Sequence, residues 1–239
     1  MEISPIAYYH CPLPQKFGLP RQAGLAEELQ GRIVLEPAFR RPEALRGLDG
    51  FDYIWLIWEF SLNGSPSDGH PRPDRGSLTV RPPRLGGNER VGVFASRSPF
   101  RPNPLGLSSV RIKSIDFEKG EITVLGADLA DGTPIYDIKP YVAYCDSHPA
   151  ARSGFVDGKE WKRLEVQFAS AKLEQLLSDS LDSDYNALLE VLSEDPRPQY
   201  HDNPEKEYGL SFGGLNIRFK VRESVLTVEE VSQEAQGLF

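Results

Sequence analysis

The chain has 239 residues, of which 39% are hydrophobic and 26% charged, with a formal charge of -8. This is the composition of an ordinary globular protein, long enough for one large core or a medium and a small one. No run of about eighteen apolar residues occurs, the N-terminal MEISPIAYYH lacks a signal-peptide profile, and Cys11 and Cys145 have no paired spacing, so a membrane span, secretion and a disulfide framework are excluded in favour of a soluble cytoplasmic protein.

Along the first half, residues 3–9, 31–35, 53–60, 77–80, 91–95, 107–115 and 121–127 are short runs rich in β-branched and aromatic side chains. Leu48-Asp49-Gly50, Asn63-Gly64, Lys119-Gly120 and Asp131-Gly132 supply turns between them. FDYIWLIWEF, residues 51–60, is apolar at nearly every position and predicts a strand covered on both faces. Pro42 opens a short helix over 42–48. Many short strands with glycine and proline corners predict a closed barrel instead of a βαβ sheet. After a loop at 146–159, residues 163–170 alternate as one strand, and helices follow at 171–178 and 184–193. Their leucines (Leu173, Leu176 and Leu177, then Leu188, Leu189 and Leu192) recur at helical spacing and read as core. Strands near 208–212, 215–221 and 225–231 complete a small α+β domain. The fold class is therefore mainly β: a barrel over residues 1–148 and an α+β domain over 160–239.

Charge is unevenly spread. Between Arg72 and Arg111 there are eight arginines against Asp74 and Glu89, so an acidic body carries one basic segment. Such a patch acts locally, within a Debye length of roughly 8 Å. Its centre, residues 81–107, interleaves arginines with prolines and glycines, which fix an irregular backbone and suit recognition of planar oxyanions or bases by guanidinium groups.

Several chemistries lack their signatures. There is no GxGxxG, GxxxxGK[ST] or GxSxG, and His10, His70, His148 and His201 are dispersed, not at metal-ligand spacings. Three constellations remain. Arg21 and Gln22 follow the φ-restricted Pro20 and present a guanidinium and an amide, or form a plain loop. DLADGTPIYDIKPY, residues 128–141, gathers acids, a lysine and tyrosines around a turn; period two puts Asp137 and Lys139 on one strand face within ion-pairing range, a pair that points to a site unless it is solvent-exposed. The third is Asp195-Pro196-Arg197-Pro198, with Tyr200 beyond.

Taken in order, LPRQAGL, ALRGLDGFDYIWLIWEF, TVRPPRLGGNERVGVFASRSPFRPNPLGLS, DLADGTPIYDIKPY and EDPRPQY resemble the TsaA-like, or TrmO, family of tRNA methyltransferases, and the likeness covers almost the whole chain. The resemblance implies a homodimeric β-barrel that uses S-adenosylmethionine to methylate the exocyclic nitrogen of N6-threonylcarbamoyladenosine at position 37, beside the anticodon, mainly in threonine tRNA. By motif position Pro20, Arg21, Gln22, Ser61, Leu62, Arg97, Leu107, Asp128, Leu129, Ala130 and Asp131 would line the methyl-donor pocket. At Ser61 and Leu62 backbone contacts are expected.

Residue chemistry adds roles to that list. Arg97 or Arg21 suits the donor's carboxylate, and Asp128 or Asp131 its ribose or amino group. The attacked nitrogen must lose a proton, for which Asp137 or Asp131 is the candidate base, with Lys139 and Tyr141 orienting. Arg84, Arg90, Arg101 and Arg197 are assigned to the tRNA anticodon loop through phosphate and stacking contacts. No metal is called for. The rival class is a non-catalytic RNA-binding barrel, or one that senses S-adenosylmethionine; a third reading is methylation of another nucleoside or a small metabolite.

Overall fold

The computed structural model describes residues 2–63, 78–82, 90–158, 162–197 and 203–234. Its strands are β1 (Ala7–His10), β2 (Gln30–Leu35), β3 (Tyr53–Glu59), a ribbon of β4 (Thr79–Val80) and β5 (Val91–Gly92), then β6 (Leu105–Asp116), β7 (Glu121–Leu125) and β8 (Thr133–Pro140). All but the ribbon close into a barrel of order β1-β2-β7-β6-β3-β8. Every neighbouring pair in it is antiparallel, so each strand has both edges hydrogen-bonded. One-turn helices α1 (Pro42–Leu45) and α2 (Ala143–Asp146) lie between strands or after them.

Inward positions alternate along the barrel strands: Ala7 and Tyr9, Ile54, Leu56 and Trp58, Ile122 and Val124 all belong to one buried cluster. Tyr9 fits because its ring lies over a glycine of β2, two residues before its register partner Ile33; a Cβ at Gly31 would lie 2.1 Å from the Tyr9 hydroxyl. Two readings of the sequence need correction here. Within the single chain only one face of β3 is fully covered: its inward residues are core, whereas on the outer face Trp55 and Ile57 are half-buried and Tyr53 is 43% exposed. β8 was not expected as a full strand, because Pro134 and Pro140 disguise it; they stand near its ends, where a missing N–H is tolerated.

The second layer is β9 (Glu165–Phe168), helices α3 (Ala171–Leu181) and α4 (Tyr185–Ser193), and strands β10 (Tyr208–Phe212), β11 (Leu215–Arg222) and β12 (Val225–Gln233). The sheet order is β10-β11-β12-β9, with β9 parallel to β12. Ser170 caps α3, accepting from the Leu173 N–H at 3.2 Å. Leu177, Leu188 and Leu192 are buried as their spacing predicts, but Leu176 is 51% exposed, on the rim of the apolar stripe.

The two layers are not independent. Leu13, Ala26 and Leu29, from the connection between β1 and β2, are completely buried in the core of the second layer. Phe17 from the same connection stacks on Tyr208 and Phe219, each at 6.3 Å between ring centroids. Gly18, at φ +91°, lies so close to β10 that a Cβ would stand 2.2 Å from Leu210 Cδ1.

Candidate active site

Two loops are joined at one end of the barrel. The β1–β2 connection (residues 11–29) meets the β7–β8 loop (126–132) through backbone bonds from Gly24 N to Gly126 O, Gly126 N to Leu29 O and Asp131 N to Leu13 O, at 2.8 to 2.9 Å. The second layer holds the first loop from outside. Arg163 bonds the Leu25 carbonyl at 2.7 Å and pairs with Glu194 at 2.8 Å, and Glu190 accepts the Glu28 N–H at 2.8 Å. Pro20, Arg21 and Gln22 therefore sit in a loop fixed from two sides, with Pro20 buried and Arg21 exposed.

A polar network crosses this end. Arg97 donates to Gln22 Oε1, and Gln22 Nε2 donates to the Arg21 carbonyl at 2.6 Å. Asp128 accepts from the Ser108 hydroxyl at 2.6 Å, and Ser108 accepts from Trp58 Nε1 at 3.0 Å. Burial raises the Asp128 carboxyl above the ordinary carboxylate range, while the bond from Ser108 and the charge of Arg97 oppose that rise. The backbone N–H of Ala23 acts on Asp128 in the same sense as Ser108, tying the two loops to one carboxylate. Trp58 and Ser108 carry no donor-site role in the sequence reading. The signal available for Ser108 was a hydroxyl at an inward position of an apolar strand, where an unpartnered polar group is costly.

The remaining donor-site residues divide. Ser61 and Leu62 form the exposed turn after β3, beside the arginine loop: Asn63 Nδ2 donates to the Pro99 carbonyl at 2.9 Å and Phe60 N to Pro104 O at 2.8 Å. Leu129 and Ala130 are buried in the interior, at 0% and 4% exposure, and their carbonyls accept from Cys11 Sγ and Thr133 N. Asp131 accepts from Cys11 N at 3.1 Å and contacts His10 Nδ1 at 3.2 Å, which makes it an anchor of the β1–β2 connection. Leu107 lies on the opposite face of β6 from Ser108, on the outer wall, 58% exposed.

Asp137, Lys139 and Tyr141 are on that outer wall too. Asp137 and Leu107 both pair with Ile57 of β3, from β8 and β6 respectively, so the three form one row. Asp137 and Lys139 make the expected ion pair, at 2.7 Å, but it is solvent-exposed, with side chains 43% and 62% accessible. Tyr141 packs on Tyr53 and Trp55, at 6.1 and 5.7 Å between centroids. Within one protomer the structure does not bring these three residues to Asp128.

Of the arginines assigned to tRNA, Arg84 lies outside the described residues. Arg90 bonds Thr79 twice across the β4–β5 ribbon, and Arg101 donates to the Ser96 carbonyl at 3.1 Å within its own loop. Arg197 is 13% exposed and bidentate to Asp195, at 2.9 and 3.1 Å, and its carbonyl accepts from Arg21 at 3.5 Å. Elsewhere, a cleft of about 620 Å³ lined by Leu164, Phe168, Glu174 and Glu190 contains none of these residues. Among the described residues no three His, Cys, Asp or Glu side chains gather as a metal set, and no helix is long and apolar enough to cross a membrane.

The class is a closed antiparallel barrel without a Rossmann sheet, with an Arg97–Gln22 pair and the Asp128 carboxylate at one end and an α+β layer bracing it. Family models agree: residues 8–147 match the tRNA-methyltransferase O N-terminal domain and residues 161–234 the TrmO C-terminal domain. The chain belongs to the tRNA-methyltransferase O family. It is 38% identical over 227 residues to the tRNA (adenine(37)-N6)-methyltransferase of Escherichia coli strain K12, covering 92% of each chain. A putative S-adenosylmethionine-dependent methyltransferase of Pseudomonas aeruginosa is 37% identical over 227 residues, covering 91% of each. Among solved structures, a crystal structure of TrmO superposes with TM-score 0.76 at 30% identity, over 97% of this chain and 99% of that one. TrmO from Pseudomonas aeruginosa gives 0.76 at 28%, over 97% and 98%.

Proposed function

We propose that this chain is an S-adenosylmethionine-dependent tRNA methyltransferase acting on the exocyclic nitrogen of adenine 37, that its substrate base carries the N6-threonylcarbamoyl group, and that it works as a cytoplasmic homodimer on the anticodon loop. The observation that carries the reading is the convergence of Gln22, Arg97 and Asp128 on one barrel end, held by hydrogen bonds from both layers. These groups fit the donor: a guanidinium suits its carboxylate, and a half-buried carboxylate suits a ribose hydroxyl or an amino group. Bound S-adenosylmethionine supplies an electrophilic methyl group. The protein's task is then to bind, align and exclude water, and alignment alone is worth roughly 7–11 kcal/mol of barrier.

The outer wall supports the dimer. Tyr53, Leu105 and Leu107 are 43%, 37% and 58% exposed on strands whose inner faces are core. On our reading a second copy covers this wall and presents the Leu107–Ile57–Asp137 row to the neighbouring donor site. Asp137 then serves as proton acceptor there, with Lys139 and Tyr141 orienting the nucleoside. The arrangement of Arg197 fits a brace for the Arg21 loop better than a phosphate contact, since its guanidinium is already engaged by Asp195. Arg84, Arg90 and Arg101 remain assigned to tRNA.

Incubation with labelled S-adenosylmethionine and tRNA with or without the threonylcarbamoyl group tests the activity. Transfer to the modified tRNA alone is expected; donor binding without transfer to either would establish the sensor alternative. Mixed dimers test the shared site. Asp128→Asn and Asp137→Ala, each inactive alone, should regain activity when co-expressed, because one of the two sites is then intact.

A further inference from the structure

The hydrogen-bond chain that ends at Asp128 begins in the barrel core, at residues outside the donor-binding motifs. Trp58 is 5% exposed and Ser108 is 3% exposed. The Trp58 indole N–H donates to Ser108 Oγ at 3.0 Å, and Ser108 donates to Asp128 Oδ1 at 2.6 Å. An indole nitrogen can only donate, so it occupies an acceptor position of the hydroxyl and directs the hydroxyl proton outward, to the carboxylate. The indole is itself immobilised. Phe60 packs edge-on at 4.4 Å, and a Cβ at Gly106 would lie 2.3 Å from the indole ring, so glycine there makes room for Trp58.

We propose that Ser108, oriented by Trp58, is a positioning residue for the methyl donor: its hydroxyl fixes the direction in which the Asp128 carboxylate is presented. The inference rests on the reading that the donor binds at Asp128. A serine that merely satisfied the Trp58 N–H would have no need to donate onward. The short bond to a charged acceptor, made by a hydroxyl whose own surroundings are barrel core, is the arrangement that sets a carboxylate's orientation. Burial works against ionisation of Asp128, and the Ser108 bond is foremost among the influences opposing it. Donor affinity that needs the ionised form is present at neutral pH and falls as pH drops through a midpoint above the ordinary carboxylate range. Loss of the Ser108 bond moves that midpoint further up.

The test is calorimetric titration of the full-length protein with S-adenosylmethionine across pH 5 to 8, for wild type, Ser108→Ala, Trp58→Phe, Asp128→Asn and the Ser108→Ala/Asp128→Asn double variant. Thermal melting and tRNA binding serve as readouts of folding. A hydrogen bond to a charged group supports an expected loss in Ser108→Ala of about tenfold to a hundredfold in donor affinity at neutral pH. Its pH midpoint should rise while tRNA affinity is kept. Trp58→Phe, which leaves the Ser108–Asp128 bond in place, should lose only several-fold and shift the midpoint less, so it carries the test if Ser108→Ala melts too low to assay. The double variant should bind no more weakly than Asp128→Asn. Weakened binding by Asp128→Asn with an unchanged midpoint and affinity in Ser108→Ala and Trp58→Phe would overturn the positioning role alone. Wild-type affinity in Asp128→Asn would instead overturn the placement of the donor.

Discussion

The barrel and the α+β layer solve the burial problem differently. The barrel closes on itself, pairs all its strand edges and fills its interior with its own side chains. The second layer has an open four-stranded sheet and completes its core with Leu13, Ala26 and Leu29 from the barrel half of the chain. The comparison teaches that the loop bearing Pro20, Arg21 and Gln22 belongs to the barrel by sequence and to the second layer by packing. A donor loop held in this way needs little ordering when ligand binds, and rigidity of that kind favours affinity.

The largest effect should follow from cutting that attachment. Phe17→Ala removes a ring stacked on Tyr208 and Phe219, and by the cost of large-to-small core changes should destabilise the protein by about 3 kcal/mol. Urea unfolding measures this, and a parallel loss of donor affinity would show that the second layer shapes the site; a stability loss with normal donor affinity would separate the two regions. Next is Gly106→Ala, which drives a Cβ into Trp58 and should cost about 1–3 kcal/mol by overpacking. That variant perturbs the barrel without touching the second layer, and donor affinity should fall with it.

Smaller effects separate the barrel's two faces. Lys139→Ala breaks an exposed ion pair and should change stability by no more than about 1 kcal/mol, measured by thermal melting. A clear fall in turnover at unchanged donor affinity would mark Lys139 as functional. Smallest of all is a contrast in thiol reactivity. Burial pushes the Cys11 thiol up to about 12, whereas Cys145 is exposed. Although the Cys145 thiol is raised too, it is open to reagent, so iodoacetamide at pH 8 followed by mass spectrometry should label Cys145 well before Cys11 until the protein unfolds. Early labelling of Cys11 would mean that the shared loop opens.

Period-two patterns and turn signals were strong enough to read the barrel and the order of the second layer from the residues. β8 was hidden by its prolines, and the exposed outer face of β3 by a run of apolar residues that predicts two covered faces. The site was legible in part. Pro20-Arg21-Gln22, Arg97 and Asp128 lie at one barrel end, but motif order says nothing about which wall of a strand a residue occupies, so it could not show that Leu107 and Asp137 stand on the outer wall of the same chain. Ser108 and Trp58 escaped notice because a hydrogen bond between side chains 50 positions apart leaves no local pattern. Arg197 was assigned to tRNA from its stiff Pro-Arg-Pro setting; Asp195 is two residues away, but only the fold reveals a bidentate pair largely shielded from solvent.

On the proposed reading the methyl donor is held at the braced end of the barrel while Asp137 acts from the outer wall. Titration of S-adenosylmethionine into Asp128→Asn and Asp137→Ala, side by side with single-turnover methyl transfer, tests it most directly. Asp128→Asn should lose donor binding, and Asp137→Ala should bind donor normally but transfer little or no methyl. Normal donor binding by Asp128→Asn, or near-normal transfer by Asp137→Ala, would contradict it.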